Sequence, residues 1–110
     1  MILVPHLPYR VWQGITEPSV NLRAFENSAV QFVENDAANT LSINQYVPLA
    51  IAAATAFDPT TDKVVMVGHP LKQSLLLHYI LLQHPNHDIM VGVYDKQEKG
   101  YKYESIKTTL

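Results

Sequence analysis

One turn in the middle of the chain brings together residue types that can do chemistry. It starts at Gly68 and reads Gly-His-Pro-Leu-Lys-Gln-Ser, between an apolar run and a leucine-rich run. The pattern predicts a strand followed by a helix, and the N–H groups at the start of such a helix favour anions. Gly68 would let a ligand approach the backbone, His69 could act as a donor or general acid/base, and Lys72 could supply charge. With Gln73 and Ser74, these residues form a candidate site for a phosphate- or carboxylate-bearing small molecule.

The same turn has a purely structural interpretation, as an ordinary strand-to-helix connection with a surface histidine. Its sequence, Val-Met-Val-Gly-His-Pro over residues 65–70 with leucines after it, resembles the second-histidine motif of the histidine phosphatase superfamily. That motif is also a strand, then Gly-His, then a helix. The superfamily has a phosphate-accepting Arg-His-Gly near its N-terminus, whereas the first apolar run here leads to Pro5-His6. The chain is also too short for the rest of that fold, so the match indicates convergent turn chemistry and transfers no function.

Other groupings of reactive residues have less support. His84 and His87 lie three residues apart beside Asp88, a spacing that could suit a metal ion. Pro85-Asn86 lies between them and places them on a helix end and a turn rather than on one helical face. The serines lack a glycine-flanked nucleophile context, and no phosphate-binding glycine pattern occurs. We therefore predict no metal, no cofactor and no catalytic residue.

Composition excludes several classes of protein. The 110 residues are 47% hydrophobic and 16% charged with a net charge of −2, which fits one folded domain and excludes disorder. A nucleic-acid partner is not expected, because phosphate binding needs a basic face. The absence of cysteine removes disulfides and thiolate chemistry and fits the reducing cytoplasm. The longest apolar runs are shorter than the roughly 20 residues that cross a bilayer, so no membrane association is expected.

The elements around the turn predict an α/β fold, with α+β as the alternative. Residues 63–94 form a strand–helix–strand unit, in which a β-branched run suits a strand buried on both faces. Residues 88–108 contain two β-type runs joined by a polar loop ending in glycine, which predicts an antiparallel hairpin. The sequence therefore predicts a small mixed sheet against which the helix of the 63–94 unit packs.

Two further helices are predicted. One covers about 20–35, where apolar residues recur at helical spacing, although a strand over 29–33 is a competing interpretation. The other covers about 45–57 and has an alanine-rich centre with high helix propensity. Small side chains there allow close approach of a neighbouring backbone.

Low charge and a wide apolar helix surface favour an assembly in which a partner covers part of the protein surface. Leu77 and Leu81 extend the apolar surface of the 71–82 helix beyond one stripe, and Tyr9 and Trp12 could anchor a docking segment. The leading hypothesis is a small non-catalytic interaction or assembly module that forms a homo-oligomer or binds a protein partner, as among small bacterial or viral accessory proteins. The alternative is a small-ligand binder or modest enzyme that uses the turn at Gly68.

Overall fold

The computed structural model describes residues 1–6, 9–12, 15–18, 29–34 and 41–107, and only the backbone of 9–12 and 15–18. The described strands are β1 (Ile2–His6), β2 (Tyr9–Trp12), β3 (Ile15–Pro18), β4 (Val30–Glu34), β5 (Lys63–Val65), β6 (Ile89–Asp95) and β7 (Gly100–Ile106). The described helices are α1 (Ile43–Ala56) and α2 (Pro70–Gln83).

Five of the strands form one mixed sheet in the order β4-β1-β5-β6-β7. Strand β1 is parallel to both β4 and β5, β5 is parallel to β6, and β7 runs antiparallel to β6. Strands β2 and β3 pair with each other in a separate antiparallel ladder. The predicted α/β class, the strand–helix–strand unit over 63–94 and the hairpin over 88–108 are confirmed.

The predicted helix over about 20–35 is wrong in its last part. Val30–Glu34 is strand β4, and Val30 lies opposite Ile2 on β1. Its side chains alternate as in a strand, since Phe32 packs on one face of the sheet and Val33 on the other. The rest of that predicted helix lies outside the described residues. Within the described residues the fold therefore has two helices, where three were predicted.

Helix α1 confirms the prediction over about 45–57 and begins two residues earlier. Ser42 caps it, because the Ser42 side chain accepts from the Gln45 N–H while the Gln45 side chain accepts from the Ser42 N–H. Its buried residues are Tyr46, Ala50 and Ala54, four residues apart on one face. The alanines let α1 pack closely against α2.

The sheet has an apolar core on each face. Towards the helices, Leu3, Val64 and Ile89 pack with residues of both helices, including Leu76 and Ile80 of α2. On the opposite face lies a smaller cluster around Ile2, Val4 and Val65. Helix α1 lies against β4 and α2 against β1, so both helices sit towards the β4 side of the sheet. Neither of the two helices in the described residues is long and apolar enough to cross a membrane.

Candidate functional site

The turn after β5 meets the end of β1. Parallel strands end at the same edge of a sheet, and β1 and β5 are neighbours, so His6 and the turn at Gly68 converge there. The His69 backbone N–H donates a hydrogen bond to Nε2 of His6, with 2.6 Å between the nitrogens. His6 is only 1% exposed, so this contact joins a strand end to a helix start inside the protein.

Gly68 is required by this contact. Its φ of +96° lies in the left-handed region that L side chains rarely adopt. A Cβ at this position would also fall on the ring of His6, far inside van der Waals distance. The glycine therefore lets the chain turn and lets the imidazole approach the backbone.

The hydrogen bond to Nε2 fixes the state of His6. Because Nε2 accepts, the ring proton of the neutral imidazole resides on Nδ1. Burial lowers the pKa of His6 from its ordinary value of 6.5, and the nearby Lys72 ammonium lowers it further, against a smaller opposing effect of Glu34. Nδ1 is buried and has no hydrogen-bond partner in the described part of the chain. His6 is thus a neutral buried histidine with one ring nitrogen engaged.

Lys72 points into the protein. Its ammonium lies 2.7 and 3.1 Å from the two carboxylate oxygens of Glu34, the last residue of β4, and both side chains are buried. The Lys72 nitrogen also lies 5.5 Å from the centre of the Tyr46 ring, and the Tyr46 hydroxyl donates to the Pro5 carbonyl at 2.8 Å. Burial, followed by the negative charge of Glu34, raises the pKa of Tyr46. The lysine charge is therefore balanced within the fold.

The other predicted ligand-binding residues also have intramolecular partners. The His69 side chain caps α2, because its Nδ1 accepts from the Leu71 N–H at 3.2 Å. The Gln73 side-chain amide donates to the Gly68 carbonyl at 2.7 Å, and the Gln73 N–H donates to the His69 carbonyl. The Ser74 hydroxyl donates to the Pro70 carbonyl. The structure brings Gly68, His69, Lys72 and Gln73 together, while Ser74 faces outward.

Sequence reasoning missed the two partners that complete this arrangement, His6 and Glu34. A histidine directly after an apolar run was the available signal for His6, since such a position marks a strand end. Glu34 had no such signal, because it fell inside a segment predicted as a helix. We call His6, Glu34, Gly68, His69 and Lys72 the strand-end junction.

The predicted interface residues occupy different environments. Leu77 and Leu81 are partly buried against the main core cluster. Tyr9 and Trp12 belong to β2, of which the structure describes only the backbone.

The two histidines considered for a metal site lie at the end of α2 and after it. The His84 Nε2 lies 2.9 Å from the Ala54 carbonyl oxygen, and the His84 and His87 ring centres are 6.3 Å apart. Among the residues the structure describes, no group of three His, Cys, Asp or Glu could hold a metal ion.

A second region lies on β6 and β7, on the side of the sheet that carries the helices. We call this surface the hairpin face; its side chains are Val91, Val93, Lys102, Glu104 and Ile106. It borders a groove of about 570 Å³ that residues 94–97, at the end of β6 and the start of the turn, also line. Val91 is 6% exposed and belongs to the core, whereas Val93, two residues along the same face, is 58% exposed. The apolar row thus continues out of the core into solvent.

Comparison with known proteins returns no match. No family model, no curated protein and no solved structure matches this chain. The resemblance to the histidine phosphatase superfamily is therefore limited to the turn. In the structure, this turn contacts the Pro5-His6 end of β1.

The chemistry open to the strand-end junction follows from these contacts. Pro5 precedes His6 and supplies no positive charge, the Lys72 charge is balanced by Glu34, and His69 caps its own helix. An anion bound by the Leu71 N–H or the Gln73 side-chain amide would have to displace an existing hydrogen bond, which stabilises the fold by about 1 kcal/mol. The geometry is therefore that of a closed structural contact between strands and helix.

Proposed function

We propose that this chain is a small non-catalytic interaction module that self-associates, and that it works in the cytoplasm. The observation that supports it best is the hairpin face, where an apolar row that starts in the core ends at exposed Val93, and where Ile106, at the other end of the strand pair, is also exposed. Exposed valine and isoleucine on one strand pair gain free energy when a partner removes them from water. Low charge over the whole chain supports the same proposal.

The strand-end junction provides a second argument for the proposal. The turn residues that could bind a substrate make hydrogen bonds or ion pairs within the chain instead. A general acid or base must reach a proton on a substrate, and His6 is buried in the interior. The groups at this edge thus stabilise the fold, and we assign the interaction to the hairpin face.

The proposal is tested by light scattering on the purified chain over a range of concentrations. We expect association at tens of micromolar, and we expect Val93→Thr to weaken it while the β-branched shape of the side chain is kept. Leu82→Gln is the matched control, because Leu82 is an exposed apolar residue that belongs to α2 and not to the hairpin. A parent protein that remains monomeric at hundreds of micromolar would contradict self-association. Equal weakening by both variants would contradict the assignment to the hairpin face.

A second candidate function is the binding of a small phosphate or carboxylate compound at the strand-end junction. The observation that favours it is the buried Nδ1 of His6, whose N–H lacks an acceptor among the described residues. Thermal shifts with inorganic phosphate and a set of carboxylates test it. Stabilisation of the parent that is lost in His69→Asn, which keeps a capping side chain, and kept in His78→Asn would support it. No stabilisation of the parent by any of these compounds would exclude it.

A further inference from the structure

We propose that the partner on the hairpin is a second copy of this chain, with β7 paired antiparallel to the partner's β7 about a two-fold axis at Tyr103. The inference rests on the proposed self-association and specifies its geometry. Strand β7 is the last strand of the five-stranded sheet, so its outer edge carries backbone groups that another strand can pair with.

Strand β7 lacks two of the features that usually block edge pairing, proline and a β-bulge. Its seven residues contain no proline, and all seven pair with β6 without a bulge, from Ile106 opposite Ile89 to Gly100 opposite Asp95. The edge is therefore long and regular. Its charged residues, Lys102 and Glu104, are the remaining obstacle to pairing, and their spacing decides which register is favoured.

The two charges are self-complementary in one register. With the axis at Tyr103, Lys102 lies opposite the partner's Glu104, and the symmetry repeats this pair on the other side of the axis. With the axis at Lys102 or at Glu104, that residue would face its own copy, and like charges directly opposite destabilise a strand pair. Charge complementarity thus selects the Tyr103 axis among neighbouring registers.

The charges needed for these pairs are available. Lys102 contacts Asp95 at 2.9 Å and Glu98 at 3.5 Å, and an ammonium has three N–H groups, so two acceptors leave one for the partner. Glu104 makes no ion pair within the described chain and is exposed. Both side chains lie on the hairpin face, where Lys102 is opposite Val93 and Glu104 is opposite Val91, so the two new pairs would lie beside these valines and shield the exposed Val93.

On the other face of the hairpin, the Tyr103 ring leaves room for a second β7 strand to approach at the two-fold axis. The Tyr103 ring lies over Gly92, where an added Cβ would overlap it, and the Lys63 ammonium is 4.7 Å from its centre. Because β5 and β6 lie on the inner side of β7, the ring is directed towards the sheet and away from the outer edge. The backbones of two β7 strands can therefore meet at Tyr103 without moving the ring.

Charge reversal tests this register directly. Lys102→Glu alone and Glu104→Lys alone each place like charges opposite one another, and each should weaken dimerisation roughly tenfold or more. The double variant K102E/E104K restores opposite charges and should return the dissociation constant to near the parent value. Lys96→Glu is the control, because it makes the same charge change in the hairpin turn, off the β7 edge. Sedimentation equilibrium gives the constants, and thermal melting shows that each variant is folded.

The outcomes separate this inference from the proposed function. Weakening by both single variants with recovery in the double variant supports the Tyr103 axis. A dimer that neither single variant weakens, or that the double variant fails to restore, overturns the register while self-association stands. A parent that is monomeric at every concentration overturns both.

Discussion

The strand-end junction and the hairpin face contrast in what they bury. The junction holds polar and charged side chains in the interior, and its turn residues are hydrogen-bonded or ion-paired within the chain. The hairpin face leaves apolar side chains in water, with Val93 and Ile106 exposed. The comparison shows that residue types capable of chemistry can be engaged by distant parts of the same chain, as His69 is by His6 and Lys72 by Glu34.

The energetics of the two regions differ accordingly. A buried ion pair adds little net stability when complete, because desolvation offsets the attraction, yet removing one partner leaves a buried charge uncompensated. An exposed apolar residue contributes little to the fold and becomes important when a partner covers it. We therefore expect changes at the junction to act on unfolding and changes at the hairpin face to act on association.

The largest expected effect comes from Lys72→Met. It leaves the Glu34 carboxylate buried without its cation, and we expect a loss of about 3–5 kcal/mol in the free energy of unfolding, measured by urea denaturation. The double variant Glu34→Leu/Lys72→Met should recover much of that loss. Lys96→Met, at an exposed position in the turn, is the control and should change stability by less than about 0.5 kcal/mol. A Lys72→Met loss as small as that of the control would refute a closed junction.

Gly68→Ala should have the next largest effect. The alanine would have to adopt a left-handed backbone conformation, and its methyl group would overlap the His6 ring. We therefore expect a loss of about 2–4 kcal/mol in the free energy of unfolding. Gly100→Ala is the matched control, because an added Cβ there meets nothing closer than 3.9 Å. Equal stability of the two variants in denaturant titrations would show that Gly68 does not pack on His6.

His6 should make stability depend on pH. Its pKa is lowered in the folded state, so below the unfolded value of 6.5 the unfolded chain binds a proton that the folded chain does not. Stability is then complete above pH 6.5 and falls as pH decreases, by at most about 1.4 kcal/mol per pH unit from this residue. His6→Gln keeps an acceptor but cannot titrate, so its stability should fall less between about pH 7.5 and 5.5. Parallel curves for the parent and the variant would contradict a buried neutral His6.

Val93→Thr should have the smallest effect on folding. The side chain is 58% exposed, so we expect its loss to change the free energy of unfolding by less than about 0.5 kcal/mol, measured at a concentration where the parent is monomeric. Val91→Thr, two residues away and buried, should cost about 1–3 kcal/mol, since it places a hydroxyl in the core. Similar losses for both would show that the hairpin face is covered within the monomer.

Local patterns predicted much of the fold. The hairpin and the unit over 63–94 could be recognised because a β-branched run, a turn and the next element follow each other directly. The helix predicted over 20–35 was wrong in its last part, where the competing strand interpretation over 29–33 is confirmed. Parallel pairing with β1 stabilises Val30–Glu34 as a strand, and local patterns did not decide between the two interpretations.

The candidate site was predicted only in part, for the same reason. Its turn residues are contiguous and could be found from Gly68 onward. Their partners are distant in sequence, since His6 lies 63 residues from His69 and Glu34 lies 38 residues from Lys72. Which strands are neighbours decides those contacts, and a sequence pattern alone does not give the strand order.

The central claim is that the strand-end junction is closed and that the hairpin provides the association surface. Amide hydrogen exchange followed by NMR at low and high protein concentration tests both halves in one measurement. We predict slow exchange of the His69 N–H at both concentrations and added protection of β7 amides only at the high concentration. Rapid exchange at His69 together with β7 amides that do not respond to concentration would contradict the account.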